Sequence, residues 1–273
     1  MHALEQGLEL SLDARRGGKI TRLFDVGLGR NLLLSSSQSG RLVLDDGLVF
    51  DVSGWDEIIP SIEPCDDVPP MGWAVRTSPR CLAEAGCLVS EWEIPGWRLE
   101  RSIRVAGSGL TADYGITNRS ERPAKVLWAA HVLYPTEGLH EVTLPAGGII
   151  PGPGCDVDEV MRVLARDQDN WHIRTLENAG RSWKFFLPAR GAAVLAYGDA
   201  TLSIATDTAW WGIWINLGRI GRPCIGIEPT NWPSDLLRDV GDSIAGSATV
   251  SLSWGLRIAG DRNSRWDGMA SCG

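Results

Sequence analysis

Nowhere does the sequence hold about 18 consecutive apolar residues, so no membrane-crossing helix is expected. The opening Met1-His2-Ala3-Leu4-Glu5 has no basic segment leading into an apolar one. Without a leader of that kind, a soluble, cytoplasmic protein is the expectation. Lys/Arg-rich runs are missing too. With a formal net charge of −8, the chain offers little to nucleic acid or to an anionic membrane, and neither is expected as a partner.

Metal and redox signatures are equally thin. The six cysteines (Cys65, Cys81, Cys87, Cys155, Cys224, Cys272) form no C-x-x-C and no zinc-like pairing with histidine, so free, buried thiols are expected and no metal site is. Only four histidines occur, His2, His131, His140 and His172, which leaves imidazole chemistry few places to reside. His140 sits in a turn-like Glu137-Gly138-Leu139-His140-Glu141 and should be exposed. His172 could reach a pocket rim. No Ser-His-Asp arrangement, phosphate loop or dinucleotide fingerprint is visible. Gly27-Leu28-Gly29-Arg30-Asn31 is too short and lacks a following helix, so no cofactor is expected.

Tyrosine and phenylalanine are scarce as well, at three and four, against thirteen tryptophans. Indole faces pack on the C–H faces of sugar rings while the indole N–H reaches hydroxyls. Most of these rings should be core, with a few left to line a pocket.

Helix signals are sparse. Asp158–Arg166 has partly helical apolar spacing, and Ser234–Val240 could form one capped turn. Strand signals dominate. Leu8–Leu12 and Ile20–Phe24 flank the double glycine Gly17-Gly18 as an opening hairpin. Gly54–Pro60 reads as a loop dense in polar and aromatic groups, and Pro64–Gly72 as a surface crossing. Cys87–Ile94, Trp97–Val105, Leu110–Asn118 and Ala124–Tyr134 follow at the spacing of a meander. Further short runs occur at Trp183–Leu187, Ala192–Gly198, Thr201–Thr206, Gly212–Leu217 and Ala248–Ile258. This train of strands implies an all-β, antiparallel β-sandwich. No repeat or linker splits it, so residues 1–259 are expected to form a single domain, followed by a polar, frayed tail over 260–273.

Within Cys224–Asp235, Ile225 and Ile227 alternate with Gly226 and Glu228. The isoleucines then share one strand face and Glu228 leaves from the other. Pro229 keeps Glu228 extended. A carboxylate beside an indole (Trp232) and a glycine suits a general base in a sugar pocket, or a plain glutamate at a strand rim. In Val126–Tyr134, alternation sets His131 on the face of Leu127, Ala129 and Leu133. It is either a satisfied core histidine or one that looks into a ligand space cleared by Ala129 and Ala130.

Five segments occur in order: Leu10–Phe24 with its double glycine, Gly54-Trp55-Asp56-Glu57 before Pro60, Trp128-Ala129-Ala130-His131, Gly212-Ile213-Trp214-Ile215-Asn216 and Gly226-Ile227-Glu228-Pro229. Together they resemble the aldose 1-epimerase (galactose mutarotase-like) family over about residues 8–258. The resemblance implies a galactose mutarotase-like supersandwich with a sugar cleft on one sheet and a small-molecule carbohydrate as partner. The implied reaction interconverts the anomers of a free sugar or sugar acid through ring opening, with Glu228 as base and His131 as acid. Asp207, in Thr206-Asp207-Thr208, resembles a position that binds sugar hydroxyls. Trp55, Asp56, Glu57 and Trp232 are further binding candidates, although Asp56 and Glu57 could equally sit in a solvated turn.

One departure stands out. Relatives carry a histidine that helps hold the sugar, before a glycine after the Gly-Trp-Asp-Glu segment, whereas Met71-Gly72 stands here, and Met71 takes that binding position. Methionine gives no proton and is a weak acceptor. The arginine-rich Asn-Arg-Ile segment of the best-known mutarotases is also missing, which sets the chain apart from the galactose-type branch. Two alternatives therefore stand beside the isomerase: a carbohydrate-binding protein without turnover, and another acid/base reaction on an oxidised sugar.

Overall fold

The computed structural model describes residues 1–5, 7–37, 39–84, 86–173 and 180–260. Strict alternation shapes most of it. In Trp97–Ala106, every second residue from Trp97 to Val105 is buried, and Gly109–Asn118 answers with Leu110, Ala112, Tyr114 and Ile116. Such a period can bury one face only, so a second sheet must cover it.

Two ten-stranded sheets meet in this way. The first runs His2–Glu5, Leu8–Asp13, Lys19–Asp25, Trp55–Ile58, Ala129–Pro135, Cys224–Thr230, Trp210–Leu217, Arg181–Pro188 and Ile150–Pro151, with Arg30–Asn31 beside Lys19–Asp25. The second centres on Thr249–Gly260, between Ala200–Thr206 and Gly109–Asn118. Their pairings are antiparallel. Ile213, Ile225 and Ile227 of the first sheet share one core with Leu99, Ile103 and Ile116 of the second.

The strand Cys224–Thr230 is buried at every position, which a sheet with one solvated face would not show. Its outer face carries a further layer, the separate hairpin Gly40–Val43/Val49–Val52 with Ile62, Met71 and Val75. Phe50, Val52, Leu133 and Cys224 form a small apolar cluster there, with Met71 and Trp214 packed against it. Between this layer and the sheet lies the cavity described below.

Three expectations need revision. Gly54–Pro60 is not a loop at its centre: Trp55–Ile58 is a strand paired with Ala129–Pro135. Its polar residues disguise it because their partners lie inside the protein rather than in water. The helix expected over Asp158–Arg166 is Val157–Val163, begun by Asp156, whose carboxylate accepts the N–H groups of Asp158 and Glu159, and followed directly by the strand Leu164–Arg166. The strand expected over Ala124–Tyr134 starts at Ala129. Beyond Gly260, the last residue of the long strand Thr249–Gly260, the expected tail lies outside the described residues.

Candidate active site

Antiparallel register brings the two principal residues together. Ala129 pairs with Thr230 and Leu133 with Gly226, so His131, midway, lies across from Glu228. On the other side Glu228 pairs with Gly212, while Phe186 pairs with Gly212 and Lys184 with Trp214. Residues opposite one another share a face. His131, Glu228 and Lys184 therefore all rise from the outer face of the first sheet. Two glycines give them room: a Cβ on Gly226 would come 2.5 Å from Glu228 Oε1, and one on Gly212 would come 3.4 Å from Glu228 Oε2.

His131 Nε2 and Glu228 Oε1 stand 3.9 Å apart. Lys184 Nζ donates a hydrogen bond to Glu228 Oε2 and lies 3.9 Å from Asp235 Oδ1. These four groups border a cavity of about 430 Å³, large enough for a monosaccharide ring. Its walls are apolar, from Leu42, Phe50, Val52, Ile62, Met71 and Trp214, and Glu63 and Arg219 stand exposed at its margin. Among the described residues, Glu228 Oε1, His131 Nδ1 and Asp235 Oδ1 are buried polar atoms with no hydrogen-bond partner. A group left in that state is costly unless something else pairs with it.

Burial governs the electrostatics. It pushes the Glu228 carboxyl above its ordinary range, against the pull of the Lys184 ammonium. It drives His131 well below the ordinary imidazole value, helped by the positive charges of Lys184 and Lys19. The shifts run in opposite senses, the carboxyl up and the imidazole down, so burial favours the neutral form of each group. Burial also works to lower Lys184, but the Glu228 and Asp235 carboxylates outweigh it and hold the amine above its usual value, charged.

A staple keeps the two strands in step. Asn231 Oδ1 accepts the Trp128 N–H at 2.7 Å, its Nδ2 donates to Val126 O at 2.9 Å, and Thr230 Oγ1 donates to Trp128 O at 2.8 Å. These bonds fix the entry of His131's strand against the exit of Glu228's.

Of the expected binding residues, Met71 alone lines this cavity with Glu228 and His131. Its φ is 63°, and Gly72 follows in the same left-handed region, where a Cβ would come 2.1 Å from Ile59 O. The turn therefore needs glycine at 72. Trp55 and Glu57 are corrected by the strand they belong to: they oppose Val132 and Ala130 and enter the sandwich core, fully buried. Asp56 opposes His131 and shares its face, but its carboxylate is taken by the Lys19 ammonium. Asp207 lies at the second sheet, accepting from Ser253 N at 2.6 Å and Ser253 Oγ at 2.9 Å. Trp232 packs over Gly241 beside a different cavity, with Val126, Val240 and Ile244.

Lys184 and Asp235 escaped sequence reasoning. Lys184 is one cation in an otherwise apolar run, 44 residues from its partner. Asp235 sits seven positions after Glu228, and only the returning loop shows that it shares the ammonium. His172 is placed away from the cavity, between Glu141 Oε1 (2.8 Å) and Asp167 Oδ2 (2.9 Å), and His140 is exposed. The cysteines among the described residues are free, but only Cys224 is fully buried; the other four are half-buried. No cluster of His, Cys, Asp and Glu among the described residues is arranged to hold a metal ion. No helix among them is long and apolar enough to cross a membrane.

Solved structures resemble this arrangement of strands. A galactose mutarotase related enzyme from Lactobacillus acidophilus matches with a TM-score of 0.71 and 8% identity, over 95% of this chain and 97% of its own. A galactose mutarotase-like protein from Lactobacillus casei matches at 0.68 and 13%, over 95% and 99%. A galactose 1-epimerase from Lactobacillus acidophilus matches at 0.61 and 10%, over 95% and 93%. No protein-family model and no curated protein sequence matches the chain. Two antiparallel sheets in this order, shared with those structures over nearly the whole chain, give the protein the galactose mutarotase-like β-sandwich fold.

Proposed function

We propose that this protein is an aldose 1-epimerase-like isomerase that interconverts the anomers of a free sugar or sugar acid. The observation that carries this is Glu228 and His131 standing side by side, 3.9 Å apart, on the wall of a ring-sized cavity. Glu228 Oε1 takes the proton of the anomeric hydroxyl. As the carbonyl forms, the bond from C1 to the ring oxygen breaks, and the ring oxygen takes its electron pair and a proton from His131 Nε2. Rotation about C1–C2 and the reverse steps close the other anomer. Glu228 ends protonated and His131 neutral; the step starts from the charged imidazole, which burial disfavours, so the rate should fall as the pH rises.

The test is direct. Polarimetry or exchange NMR on a panel of aldoses and uronic acids should show anomer exchange above the buffer rate. His131→Gln should lower it by about 100-fold, the lower end for a general acid, since the Lys184 ammonium remains nearby. Gly226→Ala should cost about as much, because its Cβ would come 2.5 Å from Glu228 Oε1 and displace the carboxylate. An H131Q rate equal to wild type would remove His131 from the mechanism.

A second reading, sugar binding without turnover, is favoured by Met71, an apolar side chain in the wall where the resemblance places a histidine. Calorimetric binding with exchange at the buffer rate would establish it instead.

A further inference from the structure

We propose that Lys184 and Asp235 are positioning residues that set the orientation and basicity of Glu228 in opposite senses, Lys184 by holding one carboxylate oxygen and Asp235 by competing for the same ammonium. The proposal rests on Glu228 being the functional carboxylate of the cavity; its test does not need turnover.

Geometry supports it at each atom. Lys184 bonds Glu228 Oε2, which leaves Oε1 as the oxygen turned toward His131. A carboxylate gripped at one oxygen cannot swing, so the base keeps one lone-pair direction. The lysine itself is held. Its stem lies against Gly152, where a Cβ would come 2.6 Å from Lys184 Cγ, and Gly152 N–H donates to Lys184 O at 2.8 Å. The Lys184 N–H donates to Cys155 Sγ at 3.1 Å. An ammonium anchored so firmly, with its side chain 12% exposed, is no freely solvated surface charge.

Each element around the carboxylate contributes a sign. The strand Arg181–Pro188 brings Lys184 and the strand Ala129–Pro135 brings His131, while Cys224 lies on Glu228's own strand. The loop after that strand brings Asp235, and the outer layer brings Glu63, which feels both Asp235 and Lys184. Lys19, paired with Asp56 across from His131, adds its positive charge at the imidazole. Two buried carboxylates thus share one ammonium. Removing the cation leaves Glu228 buried without a counter-charge, and its proton affinity must rise. Removing the competing anion frees Lys184 for Glu228 alone, and that affinity must fall.

The experiment is a carbon-13 NMR titration of protein labelled at glutamate side-chain carboxyls, with Glu228 assigned by its loss in E228Q. The Glu228 midpoint should move up in Lys184→Met, return toward wild type in Lys184→Arg, and move down in Asp235→Asn. Midpoints that stay put, or move the same way in K184M and D235N, overturn the proposal. Should K184M not fold, D235N decides alone: a lower midpoint supports the idea, and an unchanged or higher one ends it. In active enzyme, K184M should also lower kcat by about 100-fold with KM little changed. Opposed NMR shifts in a protein without anomerase activity would uphold the tuning while refuting the isomerase reading.

Discussion

Glu228→Gln is expected to slow anomer interconversion by about 10⁴-fold, the upper end of what a positioned general base supplies. The amide matches the carboxylate in shape, and its oxygen can still accept from Lys184, so cavity and fold should persist. What it loses is a lone pair basic enough to take a hydroxyl proton. No neighbour replaces it: Asp235 is drawn to Lys184 at 3.9 Å, and Asp56 is paired with Lys19. His131 would keep its place, but no base would take the anomeric hydroxyl proton. Exchange NMR checks this, with a sugar-binding measurement alongside. Affinity within reach of wild type and a collapsed rate is the expected pair, and an unchanged rate would remove Glu228 as base.

The second large effect concerns stability. Arg101→Met is expected to cost about 3–5 kcal/mol, because it strips the cation from a buried ion pair. Arg101 and Glu57 are both fully buried, Arg101 Nη1 donating to Glu57 Oε1 at 2.9 Å. Around the same carboxylate, Trp55 Nε1 donates at 2.8 Å, Tyr114 OH at 3.0 Å and Trp128 Nε1 at 3.0 Å. Trp55 and Trp128 belong to the first sheet or its approach, Arg101 and Tyr114 to the second, so the hub ties the layers together. Burial raises the Glu57 carboxyl and Arg101 pulls it back. Set against a typical domain stability of about 5–15 kcal/mol, the loss should move the urea midpoint far down with little change in slope. The double replacement Glu57→Gln, Arg101→Met should recover much of it, since no lone charge is then left inside and the amide oxygen still accepts from Trp55 and Tyr114. Additive losses would show that the pair is not coupled.

This hub also explains where the sequence misled. Trp-Asp-Glu reads as exposed because polar residues in a short segment usually meet water. Pairing with Ala129–Pro135 turned that segment into a strand, and alternation carried Trp55 and Glu57 inward. Nothing local announces an arginine 44 positions later in the chain as the glutamate's partner. The meander Cys87–Asn118 was legible for the opposite reason: its period-two pattern answers to burial on one face, which neighbours in sequence share. Glu228 was legible through the same alternation, His131 through the two alanines before it. Lys184 was not, because its role depends on Gly212 being empty in the strand between, a fact of register rather than of composition. Asp207 was assigned by motif likeness, and the structure sends it to the other sheet.

Glu228 and His131 stand on central strands with a neighbour on each side, whereas Leu42, Phe50, Val52 and Met71 come from the outer hairpin and a turn. Under the proposed reading, proton transfer and sugar preference fall to separable parts of the chain. Substitutions in the outer layer would then reshape what the cavity accepts while Glu228 and His131 keep their places on the sheet.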